Sequence, residues 1–246
     1  MDRRDWREGR RQSPHDVGAR PFRWRPLSVS ASLVQFNTSP EEVKVFAQII
    51  RGKTSDPQAV RASLDNWMKN LEPDAKGYLG TTAGVSELGE FFALVRFESE
   101  EAAKANSDRP EQGKWWAEFE KTLDGATTFQ DSSNVMVGAV SDLGAAGFVQ
   151  VMDGQSSDPD RSMELMDSSR DARVANRPDI LGSVVVGHGE GRFTMVIYFV
   201  SEAAARQGEN KEVPAELLET MQEMQSLSVG QPQFLDLRTP WLQSPR

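Results

Sequence analysis

The sequence predicts an α+β fold: two ferredoxin-like βαββαβ repeats packed within one chain as a pseudo-dimeric α/β barrel. Three observations predict it. The stretch Gly52 to Pro57 (Gly-Lys-Thr-Ser-Asp-Pro) returns at Gly154 to Pro159 (Gly-Gln-Ser-Ser-Asp-Pro), matching positions keep a spacing of 102 residues, and strands and helices follow the same order in both halves. Matches held without a gap over about 60 residues indicate duplication and not shared propensity.

The first element is a strand at Val45 to Ile50. A helix then opens at Asp56-Pro57, where the carboxylate can accept from free first-turn amides and proline lacks one. Val60, Leu64, Met68 and Leu71 recur at helical spacing beside Trp67, and Pro73 and Gly77 end the run. Tyr78 to Ala83 and Phe91 to Phe97 read as strands joined by a turn containing Gly84 and Gly89. A second helical region starts at Ser99-Glu100-Glu101, breaks at Asn106 to Pro110 and resumes through Trp115, Trp116, Phe119 and Leu123; Thr127 to Gln130 closes the unit as a strand.

The second half repeats each step. Phe46 matches Phe148, Gln48 matches Gln150, Asp56-Pro57 matches Asp158-Pro159, Phe91 and Phe97 match Phe193 and Phe199, and Ser99-Glu100 matches Ser201-Glu202. Later the spacing becomes 105, pairing Phe129 with Phe234, which puts an insertion in the second helical region. A sheet covered by helices on one side leaves the other side bare, and burying two bare faces against each other gives the pseudo-dimer. The boundaries are a basic tail at 1–42, a first repeat at 43–132, a connector at 133–146 with an edge strand in Val135 to Val140, a second repeat at 147–240 and a C-terminal tail at 241–246.

Composition excludes several chemistries. The chain has 246 residues and no cysteine, which removes disulfides, thiolate catalysis and cysteine-based metal sites; two histidines, His15 and His188, cannot build a multi-imidazole centre. No metal or cofactor is expected. No run approaches the roughly 20 apolar residues of a membrane span, and no specific nucleic-acid motif is present, so a cytoplasmic protein is expected. The net charge is −9, yet residues 1–25 hold eight arginines against four acidic residues, a local +4 that leaves −13 for the remainder. Residues 1–42 show no periodicity and read as a disordered basic tail whose arginines and aromatic residues Trp6, Phe22 and Trp24 offer a contact for a protein partner. Neither Arg3-Arg4 nor Arg10-Arg11 is followed by the apolar segment of an export signal.

The element order, the Ser-Glu-Glu-Ala-Ala start of the second helix at 99–103, and Arg109-Pro110 before Trp115-Trp116 resemble the antibiotic-biosynthesis-monooxygenase-like group of dimeric α/β-barrel proteins. The second half keeps a reduced form, Ser201-Glu202-Ala203-Ala204 and Pro214 without tryptophan, and the likeness spans about residues 44–238. It implies a barrel that binds a small apolar or aromatic molecule, and a cofactor-independent monooxygenase. Haem-degrading relatives present a histidine from the second helix, and this chain has none there.

Strand alternation supplies the candidate site. Phe91, Ala93, Val95 and Phe97 form one apolar face toward the helices, which turns Arg96 of the first half, and Tyr198 of the second, into the barrel. On the first strand Phe46, Gln48 and Ile50 are expected to face the same cavity, with Gln150 repeating Gln48. Gln48, Arg96, Trp116, Gln150 and Tyr198 are therefore the substrate-binding candidates; no residue is assigned a catalytic role. An amide donates and accepts, and arginine binds a carboxylate, phenolate or enolate. Gln48 and Gln150 could instead bond one another across the pseudo-twofold axis. Gly52-Lys53-Thr54 lacks the earlier glycine of a phosphate loop, and Gly187 to Gly191 lies where a hairpin turn is expected. Two functions fit these features: a small-molecule-binding monooxygenase-like barrel, and a noncatalytic scaffold that uses its basic tail.

Overall fold

The computed structural model describes residues 45–245; the basic tail and its expected partner lie outside the described residues. The first repeat contains β1 (Phe46–Lys53), α1 (Pro57–Asn70), β2 (Tyr78–Val85), β3 (Glu90–Phe97), α2 (Glu100–Ser107), α3 (Pro110–Phe119) and β4 (Thr128–Ser132). After β5 (Val135–Ala139), the second contains β6 (Phe148–Gln155), α4 (Pro159–Ser168), α5 (Arg170–Asn176), β7 (Ile180–Gly187), β8 (Arg192–Phe199), α6 (Glu202–Glu209), α7 (Ala215–Leu227) and β9 (Gln233–Leu237), followed by β10 (Trp241–Gln243).

The repeated joint is built twice from the same bonds. Asp56 caps α1 by accepting from the Ala59 amide at 2.9 Å, and Asp158 caps α4 by accepting from the Arg161 amide at 3.0 Å. Ahead of each cap a hydroxyl accepts from the aspartate's own amide, Thr54 at 3.0 Å and Ser156 at 3.1 Å. The amides of Thr54 and Ser156 then donate to the carbonyls of Gly89 and Gly191 at 2.8 and 2.9 Å. Both glycines have positive φ, and a Cβ on Gly191 would stand only 2.0 Å from the Ser156 carbonyl oxygen, so a side chain is excluded there. The insertion is also visible: residues 210–214 join α6 to α7 where only 108–109 join α2 to α3.

Two five-stranded antiparallel sheets result, in the orders β10-β2-β3-β1-β4 and β5-β7-β8-β6-β9. β5 follows the first repeat in sequence but pairs with β7 of the second, Val137 opposite Val184. β10 follows the second repeat but pairs with β2 of the first, Leu242 opposite Thr82. Residues 241–246, expected as a tail, thus contain an edge strand of the other repeat's sheet. The isolated motif Trp-Leu-Gln is too short to show a period, and only pairing with β2 makes it a strand.

The sheets face each other across Ala47, Ile49, Phe92 and Leu94 on one side and Val149, Val151, Val184, Val186, Val196 and Tyr198 on the other, all buried. This apolar layer holds the two repeats together. The opposite faces meet the helices. In the first repeat Phe91 and Ala93 pack on Val60, Leu64, Trp116 and Phe119, and Phe46, Tyr78 and Phe97 pack on Trp67, Met68 and Ala103.

β1 and β6 face the opposite way from the expectation. Gln48 lies opposite Val95 and Ala47 opposite Arg96, and residues directly paired across strands share a face. Phe46, Gln48 and Ile50 therefore point to the helices, whereas Ala47, Ile49 and Arg51 point to the other sheet. β6 follows suit, with Gln150 opposite Ile197 and Val149 opposite Tyr198. Alternation fixes which residues go together within a strand, but each strand's parity depends on its register.

Candidate functional site

A pocket lies between the helix-facing side of the first sheet and helices α1 to α3. Its floor includes Gln48, Ile50, Ala93 and Val95, and its wall is Trp67, Trp115, Trp116 and Phe119, with Phe129 of β4 at the edge. The wall is aromatic because α3 places Trp115 and Phe119 one turn apart, with their rings stacked at 4.9 Å, and Gln112 one turn before Trp116. Trp116 then leans on Phe129, ring centres 5.1 Å apart, and Trp67 reaches Trp115 from α1 at 6.4 Å. The cavity volume is about 70 Å³.

Amides, a hydroxyl and indoles supply its polarity. Gln48 Nε2 donates to Asp131 Oδ1 at 3.2 Å, which leaves Oε1 as an acceptor. Trp67 Nε1 donates to Gln112 Oε1 at 2.6 Å, and Trp115 Nε1 donates to the Ser63 carbonyl at 3.0 Å. Arg109, which also bonds the Leu71 carbonyl, donates to Asn106 Oδ1 at 3.0 Å. Asn106 and Gln112 both line the cavity, and with their oxygens accepting these bonds, the –NH2 groups are the amide ends left to donate. Gln243 enters from β10, so the strand that follows the second repeat completes the first repeat's pocket. Thr81 accepts from the buried Tyr78 hydroxyl at 2.7 Å, and burial pushes the Tyr78 phenol up to about 12 despite that bond.

None of the lining residues titrates near neutral pH. The site can bind, orient and stabilise charge, but a proton taken from a ligand must leave through water or the ligand's own acidity.

The sequence-predicted residues separate. Gln48 and Trp116 line this pocket. Gln150 sits at the equivalent place in the second repeat and donates to Asp236 at 3.0 Å, so each glutamine bonds an aspartate of its own sheet and not its twin. Arg96 and Tyr198 lie on the inter-sheet side. Tyr198 shares a 2.6 Å hydrogen bond with Thr82 of the other sheet, and burial raises its phenol well above the usual range. Arg96 Nε is buried without a partner. Asn106, Gln112 and Gln243 were missed. The i, i+4 relation of Gln112 to Trp116 was a readable signal, whereas nothing local marks Gln243.

Among the described residues no helix is long and apolar enough to cross a membrane and no cluster of metal-ligating side chains occurs. No protein-family model matches the chain, and no curated protein matches it. Solved structures do. A candidate monooxygenase from Lactobacillus acidophilus is 12% identical, with 82% of this chain and 97% of that one covered at a TM-score of 0.63. One from Fusobacterium nucleatum is 7% identical, covers 83% and 96%, and also scores 0.63. An anthrone oxidase-like protein is 12% identical, covers 82% and 94%, and scores 0.56. At such identities the likeness is one of fold. The chain has a duplicated ferredoxin-like α+β fold, similar over most of its length to these chains, in agreement with the resemblance to the antibiotic-biosynthesis-monooxygenase-like group as a tandem duplication.

Proposed function

We propose that the chain binds a small, partly apolar aromatic molecule in the first repeat's pocket and oxygenates it without a cofactor. The observation that carries this reading is an aromatic wall facing uncharged hydrogen-bonding groups, two of them amide –NH2 donors. Such donors suit an oxygen that gathers charge as a phenol or enol ionises, and charge stabilisation of this kind counts for more where water is excluded. Trp115, Trp116 and Phe119 would hold the ring flat by stacking.

The chemistry needs no external reductant for a substrate of the anthrone type, the class named for one structural neighbour. Its ring CH2 loses two hydrogens and becomes C=O with one atom of O2; the other oxygen leaves as water with those hydrogens, and the substrate supplies all the electrons. The resting cavity of about 70 Å³ is smaller than the roughly 150 Å³ that accommodates benzene in a known apolar cavity. Binding therefore requires the rim to open, and half-exposed Phe129 is the side chain placed to swing out.

Oxygen uptake and quinone absorbance with anthrone in air test the proposal, alongside quenching of tryptophan fluorescence. The expected result is turnover above the buffer rate, with Gln112→Leu lowering it by about 10²-fold as for loss of an oxyanion donor, and Trp116→Phe raising the half-saturating concentration. A rate equal to buffer, or an undiminished rate in a folded Gln112→Leu protein, overturns it.

A further inference from the structure

A second cavity, of about 220 Å³, opens between the two sheets and is separate from the pocket above; it is lined by Arg51, Gln130, Asp153, His188, Arg192 and Thr194, together with Gly154 and Phe193. Arg51 and Asp153 occupy equivalent positions of the two repeats, 102 residues apart, and pair across the pseudo-twofold axis at 2.7 Å. Thr194, fully buried, donates its hydroxyl hydrogen to the same Asp153 oxygen at 2.6 Å. Its oxygen must then accept from His188 Nε2 at 2.9 Å, because the single hydroxyl hydrogen is already used. That fixes the neutral imidazole as the Nε2–H tautomer and leaves Nδ1 as its titrating atom.

The charges in the cavity do not cancel in favour of a cation. Arg51 neutralises Asp153 and is held over the Phe92 ring at 5.0 Å, with further N–H groups on its guanidinium. Arg192 adds a second guanidinium; its partner Glu190, at 3.4 Å, is largely in water, where such a pair is weak. Gln130 contributes an amide. Burial holds His188 below its ordinary range, opposed by Asp153 and reinforced by Arg51 and Arg192.

We propose that this inter-sheet cavity binds a small oxyanion group, tetrahedral or carboxylate, between Arg51 and Arg192, and that binding favours the protonated form of His188. Two guanidiniums and a protonatable imidazole converge where one carboxylate is already satisfied, and an added anion replaces water on donors that lack a protein acceptor. Reciprocity follows: an anion that favours His188 protonation binds more tightly once His188 is charged.

Proton NMR of the full-length protein tests this, with His15→Asn separating the two histidine signals. Sulfate and acetate serve as tetrahedral and planar probes, against chloride at equal ionic strength. The expected result is that at least one probe raises the His188 midpoint by about one unit, with about tenfold tighter binding below the midpoint than above it, and that surface substitution Arg192→Gln removes most of the shift. If only sulfate acts, the site takes a tetrahedral anion; if only acetate acts, a carboxylate. A midpoint that follows ionic strength alone, or an equal shift in Arg192→Gln, overturns the proposal.

Discussion

The two repeats share a strand scaffold bond for bond, yet their helix-facing sides differ. In the first, Trp67, Trp115, Trp116 and Phe119 build an aromatic wall over Gln48. In the second, at the 105-residue spacing that relates Phe129 to Phe234, Trp115 and Trp116 correspond to Thr220 and Met221, and Phe234 is 57% exposed. Arg206, at the place of Lys104, reaches across to Asp236, the residue that also holds Gln150, and stands over the Phe148 ring at 5.2 Å. One copy kept an apolar recess with neutral amides, while the other carries an arginine ion pair at the equivalent place. A homodimer cannot make that division, nor can it place Arg51 opposite Asp153, since identical chains would put like charges on the axis. Duplication allows each half to specialise on a shared strand scaffold.

The largest test of this contrast is the pair Trp116→Ala and Met221→Ala. Trp116 is 8% exposed and Met221 is 46% exposed. Urea unfolding is expected to show a loss of about 3–5 kcal/mol for Trp116→Ala and within about 0.5 kcal/mol of no change for Met221→Ala. Equal losses would erase the contrast between the helix faces.

Alkaline stability separates the repeats next, because Tyr78 corresponds to Ile180. Burial raises Tyr78 from 10.0 to about 12, so the neutral phenol favours the folded state. That stabilisation is complete below the unfolded value and is lost as pH rises through the folded one. The loss is on the order of 2 kcal/mol between those limits. In Tyr78→Phe the stability measured against pH should fall less steeply above pH 10, with a remainder from Tyr198, whose phenol is also raised.

The bond between Tyr198 and Thr82 joins the halves themselves. Tyr198→Phe leaves the buried Thr82 hydroxyl without its partner and is expected to cost about 1–3 kcal/mol; adding Thr82→Val should recover part of that loss, read from a double-mutant cycle. A small loss is expected for Arg206→Met, under about 1 kcal/mol by urea unfolding, because its ion pairs are partly exposed. A large loss there would make the charged pair, and not the strand scaffold, the support of the second repeat.

Much of the fold was legible because its signals are local. Asp-Pro helix starts, the glycines opposite them and the phenylalanine faces of β3 and β8 each follow from one or two residues, and their return at a fixed spacing showed the duplication. The site was legible in part. Trp116 and Gln48 were named as candidates and line one pocket, but Gln48 was assigned to the opposite side of its sheet. Alternation within β1 gives a pattern without an absolute direction, and the apolar residues on both faces of that strand could not supply one.

By itself the sequence determined the repeat, the helix starts and the residues that share a strand face, since these depend on steric and hydrogen-bonding preferences over a few positions. Tertiary structure decided which face of β1 meets the helices, that β5 and β10 cross to the other repeat's sheet, and that Gln243 reaches the first pocket. It also joined Arg51, Asp153, Thr194 and His188 into one chain of bonds. Those outcomes depend on register and on contacts between residues mostly far apart in the chain, where the free energy is set by what is buried together and not by what is adjacent in sequence.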